Sequence, residues 1–69
     1  APYEAAYQAA HADLDRAKAQ AESASQLAKR YAPLVKVNAV SRQEYDDAVA
    51  QAQQGKAGVL AAVAALKNA

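Results

Sequence analysis

The side chains able to recognise anything in this sequence gather in one place. Lys29, Arg30, Lys36 and Arg42 fall close together, and no acid follows them until Glu44. Cations near the C-terminal end of a helix complement its dipole, which is an ordinary reason for Lys29, Arg30 and Lys36. Arg42 sits where a second helix begins, and there a cation is disfavoured. A basic cluster that includes it points to an acidic or carbonyl-rich partner. Catalytic groupings are missing. His11 has no cysteine or second histidine beside it, and its nearest acid in sequence, Asp13, lies on another helical face, so it reads as a solvated surface histidine. Asp46 and Asp47 are adjacent and point in different directions on a helix; Arg42–Asp46 is expected as a surface pair four residues apart. There is no glycine-rich phosphate loop and no metal-ligand spacing. The expectation is a protein that is not an enzyme and carries no cofactor or metal.

Composition limits what could position these residues. The chain has 69 residues, no cysteine, no Trp, Phe or Met, and about one third alanine, the best helix former. A single core of this size rarely supplies more than about 3–5 kcal/mol. No disulfide or thiolate chemistry is available, and the lack of cysteine is compatible with an oxidising compartment without identifying one. The net charge of +1 argues against bulk electrostatic binding of nucleic acid. No apolar run approaches the roughly 20 residues of a membrane span.

The elements follow from periodicity. Tyr3, Tyr7, Ala10, Leu14, Ala17, Ala21, Ala24, Ala28, Tyr31 and Val35 recur in alternating steps of four and three, the rhythm of a coiled coil. Tyr45, Ala48, Ala52, Gly55, Val59, Ala62 and Leu66 repeat it, with Leu27, Leu34, Val49, Leu60 and Val63 widening the two seams. Between them, Asn38 suits the left-handed position past a helix end. Ser41 with Glu44 forms a capping box, and Val40 with Tyr45 a hydrophobic staple. The sequence therefore predicts an all-α fold, a two-helix antiparallel coiled-coil hairpin: helix 1 over about 3–36, a turn over about 37–41 and helix 2 over about 42–67. Folding about Asn38 sets Tyr31 against Tyr45, Leu27 against Val49, Ala21 against Gly55 and Ala10 against Leu66. Helices of about thirty residues make a rod of roughly 45–50 Å. Pro33 falls within the last turn or so of helix 1, where a kink costs less than in a helix interior. Gly55 has a packing reason in the close approach of Ala21, whereas Gly58 has none within the hairpin.

Arg30, Leu34 four residues later and Ser41 seven after that resemble the Arg-Leu-Ser tip motif of the periplasmic adaptor proteins, or membrane fusion proteins, of tripartite drug-efflux pumps in Gram-negative bacteria. The flanking Arg-Tyr-x-x-Leu, the run Ala-Val-Ser-Arg-Gln-Glu-Tyr-Asp-Asp-Ala and the opening Pro-Tyr-Glu-Ala-Ala-Tyr also resemble AcrA- and MexA-like members; Pro33 departs from a smooth helix at the tip. The resemblance covers essentially the whole chain but only the α-helical hairpin of such an adaptor. It implies a piece excised from a larger multidomain protein of the periplasm, anchored to the inner membrane. It further implies docking of the tip on a TolC-like outer-membrane channel through Arg30, Leu34 and Ser41, with Lys36 and Arg42 as additional contacts. Neighbouring hairpins would stand side by side in a hexameric ring. An inner-membrane transporter of the resistance-nodulation-division (RND) class would meet other domains. A hairpin serving type I secretion or another export system, and a self-associating helical-bundle module, are the alternatives.

Overall fold

A computed structural model describes residues 2–69, with side chains from Tyr3 onward. It contains two helices, α1 (Pro2–Lys36, 35 residues) and α2 (Arg42–Lys67, 26 residues), packed antiparallel on one another. The expected hairpin forms, and it measures 56 × 13 × 11 Å. It is longer than anticipated because α1 runs for 35 residues, about 53 Å at 1.5 Å per residue.

Alanine and leucine at heptad positions build the interface, but two helices can cover only one face of each other. Accordingly Leu14 and Ala48, 7% and 3% exposed, are the hydrophobic residues buried outright among those described. The remaining seam residues from Ala10 to Val35 and from Tyr45 to Leu66 are half-buried. The register is fixed by the closest approach. A Cβ added to Gly55 would lie 2.8 Å from the Ala21 Cα and 3.2 Å from its Cβ, nearer than side-chain carbons tolerate. Counting outward from that level in an antiparallel pair sets Tyr31 against Tyr45, Leu27 against Val49, Ala17 against Val59 and Ala10 against Leu66. At Gly58 an added Cβ meets nothing within 4 Å.

Two expectations about the seam need correction. Tyr3 and Tyr7 continue the heptad pattern, yet they are 69% and 50% exposed. In this register the end of α2 at Lys67 falls level with residue 9 of α1, so the first turns of α1 overhang their partner. Leu60, expected to widen the seam, is 71% exposed; Leu27 and Val63 are half-buried.

Surface charges also differ from the sequence reading. Arg42 and Asp46 do not come within ion-pair distance; a cation placed N-terminal to its acid is the weaker orientation on a helix, and an exposed pair must also give up side-chain freedom. Arg16 instead forms an ion pair with Asp13 at 3.1 Å, and His11 Nδ1 lies 3.5 Å from Asp15 Oδ2. His11, with its ring centroid 6.2 Å from that of Tyr7, therefore has an acid four residues on that the sequence reading passed over.

The hairpin tip as candidate functional site

The tip is built from two backbone devices. At the end of α1, Asn38 takes the left-handed conformation, φ 60°, in which a short polar residue is tolerated better than most. The Ala39 N–H then donates to the Leu34 carbonyl at 2.8 Å, and the Asn38 N–H donates to the Val35 carbonyl at 3.2 Å. This pair of bonds is a Schellman motif with asparagine in the glycine position, and it satisfies carbonyls that the helix end would leave orphaned. The Val37 N–H also donates to the Leu34 carbonyl, at 3.3 Å. Pro33, an exposed residue inside α1, neither ends nor interrupts the helix, which continues to Lys36. Having no N–H, it leaves the Lys29 carbonyl without its partner four residues on.

At the start of α2, Ser41 is the N-cap, with extended backbone at φ −75° and ψ 159°. Its hydroxyl accepts from the Glu44 N–H at 3.0 Å, and the Glu44 carboxylate accepts from the Ser41 N–H, also at 3.0 Å. The expected capping box is therefore present in full. Hydrogen bonding from the Ser41 backbone, and then from its side chain, holds the Glu44 carboxyl below its ordinary value of 4.5. Val40 and Tyr45 are half-buried and line one open groove across the turn, together with Val35, Lys36, Ser41 and Arg42.

The sequence-predicted site residues converge on this end of the rod. Arg30, Lys36, Ser41 and Arg42 are exposed, as is Lys29, whereas Leu34 is half-buried. Glu44, the nearest acid, has its carboxylate engaged in the cap. The end of the molecule thus presents several cations around a short, internally hydrogen-bonded turn. Such a surface can bind acids and carbonyl groups; among the described residues no grouping could hold a metal ion. One tip residue escaped the sequence reading. Val37 is 70% exposed, although its apolar side chain made it a candidate only for the end of the helix.

The model of the alpha-helical hairpin domain of RND membrane fusion proteins matches residues 6–69. This chain belongs to that family. Over all 69 residues it is 45% identical to the multidrug efflux pump subunit AcrA and 44% identical to the multidrug export protein AcrE, both of Escherichia coli strain K12. It is 52% identical over 46 residues, 67% of its length, to the solvent efflux pump periplasmic linker SrpA of Pseudomonas putida, matching 12% of that protein. The chain spans 17% of AcrA and 18% of AcrE, less than a fifth of either. No solved structure matches it significantly. The chain is thus a helical hairpin domain of the RND membrane fusion protein family, and the relatives it matches are named as export or efflux-pump proteins. No helix among the described residues is long and apolar enough to cross a membrane.

Proposed function

We propose that this hairpin belongs to a larger multidomain adaptor of the periplasm and docks by its tip on a TolC-like outer-membrane channel. The observation that carries the reading is the exposed basic tip, held by a Schellman motif and a capping box, on a chain of this family. Arg30 donates to carbonyls or acids at the helix ends of the channel. Leu34 supplies apolar contact, and Ser41 meets the channel at the contact edge while still capping α2. Lys36 and Arg42 add charge at the rim. Neighbouring hairpins stand side by side in a ring, hexameric in the whole pump, and the inner-membrane RND transporter is met by domains outside this chain. The role is mechanical linkage and sealing, with no catalytic step.

The test is Arg30→Asp in the full-length adaptor. Arg30 is exposed and lies far from the Ala21–Gly55 level, so its loss leaves the fold within about 0.5 kcal/mol. An acid near a helix C-terminus brings the cost nearer to about 1 kcal/mol. At a docked contact the same change sets like charges together, which costs several kcal/mol. Circular dichroism of the hairpin is expected to be unchanged while cells carrying the variant lose drug efflux. Normal efflux would mean that the tip is not the docking site and that the hairpin is only a spacer.

A further inference from the structure

We infer that Val37 is a docking residue in its own right, the apex of an apolar stripe formed with Pro33 and Leu34 that seats between helix ends of the outer-membrane channel. The inference rests on the tip-docking reading above and extends it to a residue outside the Arg-Leu-Ser pattern. Arg30, Pro33 and Leu34 share one face of α1 by their spacing of three and four, and Val37 is the first residue past its end. Along the stripe, Pro33 and Val37 are exposed and Leu34 is half-buried, so the face is open to a partner rather than closed within the hairpin. Val37 is 70% exposed, comparable to the 71% of Leu60 on the shaft, but its setting differs. Its N–H and that of Ala39 both donate to the Leu34 carbonyl, and Asn38 beside it is locked at φ 60°. A side chain on so constrained a turn loses little backbone freedom when it docks, which favours its use as an anchor.

The surroundings specify the occupant. Exposed Arg30 shares the helical face of Pro33 and Leu34, exposed Lys36 directly precedes Val37, exposed Arg42 opens α2 across the turn, and the carboxylate of Glu44 is turned into the cap. An apolar knob with cations at the same end of the rod matches a shallow apolar notch edged by acids or by carbonyls at helix C-termini. A second copy of this chain offers the same cations at its own tip and would be repelled there. The proposal therefore commits to the channel and not to tip-to-tip pairing of hairpins.

The experiment measures binding of the full-length adaptor to a purified TolC-like channel in detergent, for wild type, Val37→Ser, Val37→Leu, Tyr3→Ser and Arg30→Asp. Helicity of each is followed by circular dichroism. Val37→Ser removes an apolar contact and is expected to weaken binding on the order of tenfold. Val37→Leu keeps the contact and should bind within about twofold of wild type. Tyr3→Ser, which loses an equally exposed side chain at the opposite end of the rod, 69% exposed, should bind normally. If Val37→Ser binds like wild type while Arg30→Asp does not, the tip docks but Val37 is not part of the contact, and the inference is overturned. Should Arg30→Asp and Val37→Ser both bind normally, tip docking itself fails and the inference falls with it. Equal weakening by Val37→Ser and Tyr3→Ser would also overturn it, since general surface hydrophobicity would then explain the loss.

Discussion

Ser41 and Glu44 show how one local device can serve both fold and contact. Each satisfies a backbone N–H of the other at 3.0 Å, so α2 begins at a fixed point and the turn is held short. Ser41→Ala is expected to lower hairpin stability by about 1 kcal/mol, measured as a shift in the thermal midpoint by circular dichroism, in contrast to the near-neutral Arg30→Asp. The cap also has a pH signature. Glu44 has a folded pKa depressed below 4.5, so its stabilisation is present above that value and is lost as pH falls through the depressed one. Acid titration of helicity should therefore show a loss below about pH 4.5 that is reduced in Glu44→Gln. A Glu44→Gln variant whose acid titration overlays wild type would show that the carboxylate does not couple to α2.

At the level of the helices, the two glycines make opposite predictions. Glycine in a helix costs about 1 kcal/mol relative to alanine. Gly58 has open space around it, so Gly58→Ala should raise stability by up to that amount. Gly55 faces the backbone of Ala21, with 2.8 Å between a new Cβ and the Ala21 Cα, so Gly55→Ala must push the helices apart and is expected to destabilise despite its better propensity. Thermal denaturation of the two variants side by side checks the register; equal stabilisation by both would place the closest approach elsewhere. The pairing from Tyr31–Tyr45 to Ala10–Leu66 was readable from the heptad rhythm because each helix carries a single narrow apolar stripe. The overhang of Tyr3 and Tyr7 was not, because periodicity within α1 contains no information on how far α2 extends.

As a whole the molecule is a thin rod with Leu14 and Ala48 as its fully buried hydrophobic residues among those described, and with an alanine-rich seam that removes little apolar area from water. The isolated hairpin is therefore expected to be marginal as a monomer and to gain helicity with concentration, as partners cover Leu60 and the edges of Leu27 and Val63. Sedimentation and circular dichroism across a concentration series test this. A fully helical monomer at the lowest concentration would contradict it. In the ring proposed above, neighbouring hairpins would offset the same weakness.

Some properties were settled by the chain alone. Asn38, the Ser41–Glu44 box and the alternating steps of four and three act through neighbours in sequence, so turn, cap and helical phase could be derived without coordinates. The Arg-Leu-Ser spacing together with its matching flanks pointed to the family for the same reason, since both are patterns along the chain. What the tertiary structure decided depends on distances between segments and on side-chain exposure. Ala21 against Gly55 became a measured contact, Leu60 turned outward, and Arg42 stayed apart from Asp46. The exposure of Val37 belongs with these. A valine at the end of a helix gives no sign in sequence of how far it will be exposed; the folded turn leaves it 70% exposed.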